Sequence, residues 1–202
     1  MTELDAVVRR RRMTRAFAPR PVDPATVDHL VELASRAPSA GKTQGWHLLV
    51  LEGDETHRFW DITLPVDRRP ELRWSALVAA PVVALAFADP LAYVARYAEP
   101  DKASTGLGAG IEAWPAPYWT IDASMAVMTL LLAAEDAGLG ALLFGVFQRE
   151  AEVRHELDVP DHLQLIGAVA LGHRADGAAH EPGRSAHRRR RAPSEIVHRG
   201  SW

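Results

Sequence analysis

The sequence predicts an α+β fold: a central mixed or antiparallel sheet flanked by helices, ending in an extended C-terminal arm. Three observations carry this. Four apolar runs, at 46–51, 81–88, 140–147 and 163–171, each have the length of one strand. The stretches between them carry helical spacing, yet strands and helices do not alternate as strict βαβ units. From Gly172 onward the chain is polar and Arg-rich without periodicity. Such a tail has no core of its own and stays ordered by docking on something else, with a partner subunit the candidate.

The elements follow in order. Thr2 can cap a first helix with Leu4, Val7 and Val8 on one face and arginines at its end, where cations complement the helix dipole. Residues 18–22, with Pro19 and Pro21, are extended. Asp23-Pro24 is an N-cap followed by proline at the first helical position, and Val27, Leu30, Val31 and Ala34 continue at helical spacing until the stop before Pro38. Residues 37–45 form a loop ahead of the first strand. Helices are expected at 55–62 and 67–79, separated by Pro65. The Val-rich run 81–88 reads as a central strand, and 90–98 as a further helix. Residues 99–118 read as a long Gly- and Pro-containing loop, a length associated with function or mobility. Residues 121–137 form the most apolar helix, ended by Gly138; a helix apolar on most sides belongs at a core centre or a subunit interface. Strand 140–147, helix 149–157 and strand 163–171 complete the chain.

The 202 residues, 48% hydrophobic, suffice for one core, so 1–202 is expected to be a single domain with 172–202 as its arm. The net charge of -3 removes any general attraction to nucleic acid. With no cysteine, disulfides, thiolate metal sites and Cys nucleophiles are excluded. Acidic residues lead directly into arginines at the N-terminus, so no signal peptide is expected. The apolar run 76–88 is too short to span a bilayer. A cytoplasmic protein bound to neither membrane nor nucleic acid is the expectation.

Positive charge is instead local. Arg9, Arg10, Arg11, Arg12 and Arg15 place five guanidinium groups within seven residues, and Arg188 to Arg191 close the chain. Like charges at this density repel unless they fan into water or meet an anion. If the two blocks met, they would make a phosphate pocket, a task suited to the planar guanidinium fork.

Other motifs carry less. Ala40-Gly41-Lys42-Thr43 ends like a P-loop, but Arg36 stands where the leading glycine is required and a helix precedes it. Gly106-Leu107-Gly108-Ala109-Gly110 resembles part of a dinucleotide fingerprint without a following helix. Glu152 and His155 are half of a two-metal carboxylate motif with no second half. His173, His180 and His187 lack zincin spacing, and no Gly-x-Ser-x-Gly elbow exists. No acid, base or nucleophile stands out, which suits a protein whose chemistry is carried by a bound cofactor.

Arg11-Arg12-Met13-Thr14-Arg15-Ala16-Phe17, then Pro21-Val22, then Ala37-Pro38-Ser39-Ala40-Gly41-Lys42-Thr43-Gln44-Gly45-Trp46-His47, resembles the opening of the FMN-dependent nitroreductase family. Gly138-Leu139-Gly140 entering a strand, Gly145, the late strand at 166–172 and Arg189-Arg190-Arg191-Ala192-Pro193 extend the resemblance over nearly the whole chain. It implies a homodimer with FMN at the interface, NAD(P)H as reductant and a small-molecule electron acceptor such as a nitroaromatic or quinone. It further implies that Arg11, Arg12, Met13 and Arg15 contact the FMN phosphate and ribityl chain, with Arg189 and Arg191 completing the phosphate site. Pro38, Ser39 and Ala40, contributed by the partner subunit, would lie along the isoalloxazine ring with Lys42 beside them, and Gly145 and Val146 would face its N5 region. No side chain is assigned as catalytic, since the flavin carries the chemistry. Phe144, Trp114 and Trp119 are candidate walls, and 99–118 a candidate substrate channel. The chain departs from the family pattern at Met13, where serine is usual, at Lys42, where asparagine is usual, and at Gly45, where proline is common. Alternatives are a related flavin enzyme with a narrow biosynthetic or reductive dehalogenation reaction, and a non-catalytic flavin-binding or storage protein.

Overall fold

The computed structural model describes residues 2–177 and 185–202; His180 lies outside them. A four-stranded sheet is built from β1 (Trp46–Glu52), β2 (Val82–Ala88), β3 (Gly140–Phe144) and β4 (Gln164–Gly172) in the order β1-β2-β4-β3. Every pairing is antiparallel, so of the two expected sheet types the antiparallel one is present. β2 is buried along all seven residues, as its unbroken apolar run requires of a central strand covered on both faces.

Side chains alternate across the sheet and divide the core in two. Val83, Leu85, Phe87, Leu142, Ala168 and Ala170 face a cluster with Phe59, Trp60, Leu77 and Val153. Val82, Ala84, Ala86, Ala141, Val169 and Leu171 face the opposite cluster with Leu30, Val127, Leu130 and Ala134. The first layer is supplied by α3 (Thr56–Thr63) and α6 (Glu150–Glu156), the second by α2 (Pro24–Ala34) and α5 (Tyr118–Asp136). A third cluster, Tyr93, Trp114, Trp119 and Ala123, joins α4 (Pro90–Tyr97) to α5.

The helix ends obey local chemistry. At α1 (Glu3–Arg10), Thr2 and Asp5 form a reciprocal capping box. Asp23 and Asp89 cap α2 and α4, each followed by proline at the first helical position.

Three expectations change. The helix expected at 67–79 is two 3-10 segments, Val66–Glu71 and Ser75–Ala79; Pro70 cannot donate the backbone bond that an α-helix needs there. The strand expected to reach 147 stops at Phe144. Residues 99–118 hold three 3-10 turns at Ala103–Thr105, Leu107–Ala109 and Ile111–Ala113, tied inward by buried Trp114, whose indole donates to Leu107 O at 3.0 Å. Among the described residues no helix is long and apolar enough to cross a membrane.

Candidate functional site

The N-terminal arginines are presented by a stretch fixed at both ends. α1 stops at Arg10, whose Nε donates to Glu135 Oε1 at 2.8 Å. Three residues on, Met13 bridges Ala141 of β3, and the Thr14 amide donates to Ala141 O at 2.9 Å. Gly140 permits this approach, because a Cβ there would lie 2.6 Å from Thr14 Oγ1. The segment between these anchors carries Arg11 and Arg12, and Arg15 follows it, before the Phe17 amide donates to Ala76 O at 3.1 Å.

Their guanidinium groups differ in state. Arg12 Nη1 folds back on the carbonyls of Arg10 and Arg11, at 3.2 and 3.0 Å, satisfying acceptors at the end of α1. Arg15 Nη1 donates to Met13 O at 3.1 Å, and its guanidinium lies 4.8 Å from the Trp74 ring centroid. Arg11 Nη1 is buried and has no hydrogen-bond partner among the described residues. A buried cationic donor left unpaired is costly, so this nitrogen calls for an acceptor. The chemistry of the three guanidinium groups fits the phosphate of the expected FMN.

The loop after α2 is held from beneath. Asp122, only 6% exposed within the mostly apolar α5, accepts from Ala40 N at 2.8 Å and from Tyr93 Oη at 2.7 Å. Burial, and then the Asp122 carboxylate, push the Tyr93 phenol well above its ordinary range and keep it a donor. Ser39 Oγ accepts from Gln44 N at 3.0 Å. Gly41, Lys42 and Gln44 all have positive φ, at 63°, 54° and 54°. For the two non-glycine residues this conformation costs energy and persists only where surroundings enforce it. Arg96 adds a restraint, donating to Gly41 O at 3.0 Å while forking onto Asp101 at 2.7 and 2.8 Å. The result is a fixed rim with Pro38 and Lys42 exposed and Ser39 and Ala40 half-buried.

The other expected residues lie elsewhere. Gly145 and Val146 follow the end of β3, which is an edge strand of the sheet. Ala141, where the arginine stretch is anchored, lies four residues before Gly145, about 13 Å at strand rise. Arg189 forks onto Glu195 at 2.7 and 2.8 Å, so an anion there would compete with a carboxylate. Arg191 is exposed. Trp114 and Trp119 are core residues, Trp119 donating to Gln164 Oε1 at 2.8 Å, whereas Phe144 stacks on Trp60. Among the described residues no three His, Asp or Glu side chains are grouped to hold a metal.

Sequence reasoning missed two carboxylates. Asp122 supports the 38–44 loop. Glu135, 4% exposed, also takes Arg174 Nη2 at 2.5 Å and so ties α1, the end of α5 and the chain after β4. An acidic residue inside an apolar helix was the available signal, since burial demands a partner.

Residues 8–173 match the family described as the Nitroreductase family. A provisionally named NADH dehydrogenase/NAD(P)H nitroreductase of Archaeoglobus fulgidus is 25% identical over 87% of this chain and 88% of its own. A 4-nitrobenzoate reductase of Nocardioides sp. is 29% identical over 84% of this chain and 79% of its own. The crystal structure of a provisionally named nitroreductase of Desulfovibrio desulfuricans in complex with FMN superposes with a TM-score of 0.68 at 24% identity, covering 98% of this chain and 96% of that one. That last likeness concerns the fold.

Proposed function

The chain belongs to the nitroreductase family, and on that premise we propose an FMN-dependent oxidoreductase that passes electrons from NAD(P)H to a small nitroaromatic or quinone-like acceptor. The observation that carries this reading is Arg11 Nη1, buried and without a partner among the described residues, close in sequence to Arg12 and Arg15 on a segment pinned to β3. The relatives' names, which include NAD(P)H nitroreductase and 4-nitrobenzoate reductase, support the reaction class.

When bound, FMN supplies hydride exchange at N5, first with the nicotinamide and then with the acceptor, an alternation that gives ping-pong kinetics. The chain's own residues bind and orient. Arg11, Arg12, Met13 and Arg15 hold the phosphate end, and Arg189 and Arg191 join them from the arm, Arg189 after exchanging Glu195 for the phosphate. Pro38, Ser39 and Ala40 border the ring on a rim kept rigid by Asp122 and Arg96. Lys42 brings a cation to that rim, which favours negative charge on the bound ring. Gly145 and Val146 border the N5 side.

Residues 1–202 are read as one domain that works as a homodimer. Along α5, Tyr118, Ile121 and Met128 remain 39%, 43% and 40% exposed at helical spacing. A second copy would cover this apolar stripe. The arm, with Ile196, Val197 and Trp202 exposed, would dock on that copy.

The test is Arg11→Ala. Loss of a charge-assisted contact worth about 1.5–3 kcal/mol weakens FMN binding roughly tenfold to a hundredfold, read by fluorescence titration. Unchanged affinity contradicts the phosphate role.

A further inference from the structure

The residues expected beside the flavin also line a second space. A cavity of about 310 Å³ opens between α3, the segment 72–77 and the end of β3, with Gly145 and Val146 in its wall. Its rings are Phe59, Trp60, Phe144 and Phe147. Trp60 and Phe144 are parallel within 6° at 5.8 Å, and Phe59 sets its edge against both. Polar groups on lining residues are the Thr63 hydroxyl, engaged with Phe59 O at 2.9 Å, the Gln148 amide and the Trp60 indole N–H, which is buried with no partner among the described residues. Among the described residues no charged side chain lines it. Phe147 is 95% exposed, and a Cβ on Gly145 would meet its ring at 2.4 Å, so this ring lies across the mouth without burial of its own.

We propose that this cavity binds a neutral, planar aromatic ring, and, resting on the function proposed above, that the ring is that of the electron acceptor. The volume falls at the small end of ligand pockets and suits one or two fused rings. Flat aromatic walls favour a flat aromatic ligand through stacked and edge-to-face contacts. A ligand carboxylate would surrender hydration and meet no cation. Phe147 gains the apolar partner that it lacks. Shared lining at Gly145 and Val146 places the ligand next to the redox centre. The selectivity that follows is for uncharged acceptors over anionic ones.

The experiment is calorimetric titration of the purified protein, without NAD(P)H, with methyl 4-nitrobenzoate and with 4-nitrobenzoate. The ester binds at least tenfold tighter than the acid. Leu72→Trp, which fills the cavity from its half-buried rim, weakens the ester at least tenfold and leaves FMN content unchanged. Phe147→Ala, at an exposed position that threatens no core, weakens it severalfold. Equal affinities for ester and acid, or an ester affinity indifferent to both substitutions, overturn the proposal. A protein devoid of flavin that still binds the ester in a Leu72- and Phe147-dependent way refutes the acceptor reading and keeps the cavity's ligand class. A flavin-bearing protein indifferent to both substitutions overturns the cavity proposal and leaves the proposed function standing.

Discussion

Replacing Asp122 by alanine tests the account of how the 38–44 rim is held. The carboxylate accepts from Ala40 N at 2.8 Å and from Tyr93 Oη at 2.7 Å, and Tyr93 is 1% exposed. Truncation leaves both donors without this acceptor, at a cost of about 1–3 kcal/mol each. Part of that is offset, since a buried carboxylate no longer needs dehydration. A net loss of about 2–4 kcal/mol follows, and for a chain of this length that lowers Tm by roughly 5–15 °C. Melting followed by circular dichroism reads the stability. A second assay isolates the loop. Lysine occurs only at 42 and 102, so a lysine-specific endoprotease has one site on the rim and one remote from Ala40 in sequence. The Asp122→Ala protein is cut faster at Lys42 relative to Lys102, because Lys42 no longer has its positive φ enforced. An unchanged Tm together with an unchanged cleavage ratio would refute the reasoning.

Two more outcomes are expected. Glu135→Gln removes the counter-charge of Arg10 and Arg174, and because both guanidinium groups keep contact with water the cost is about 1–3 kcal/mol, less than for a fully buried pair; a denaturant midpoint equal to that of the parent contradicts this. Ile121→Glu sets a charge into the exposed apolar stripe of α5, and light scattering at micromolar concentration shows a dimer for the parent and a shift to monomer for the variant; a parent that is already monomeric contradicts the interface.

The fold was largely legible because its strands advertise themselves by burial. β2 is apolar at every position and lies buried at every position. Caps at Thr2 and Asp23 followed from side chains that satisfy nearby backbone donors. Where local signals conflicted, the reading slipped. Residues 67–79 carry helix-forming side chains, but Pro70 breaks the backbone ladder and 3-10 turns result. Val146 is apolar and packs on the first core, yet it does so from beyond the strand's end.

The candidate site was legible at its charges and hidden in its supports. Arginines in a row are visible as such, whereas the buried Arg11 Nη1, without a partner among the described residues, is revealed only by the packing around it. The partners of Asp122 and Glu135 lie as far as 82 and 125 residues away, at Ala40 and Arg10, and no local pattern encodes such pairings. The aromatic cavity was equally silent, because Phe59 and Trp60 on a short amphipathic helix carry the same spacing whether they fill a core or line a hollow.

The most direct test of the central claim is the visible absorption spectrum of the purified protein, followed by heat release and identification of any chromophore. The account predicts a flavin spectrum, with FMN in the supernatant at close to one per chain. A colourless protein that also fails to take up added FMN contradicts it.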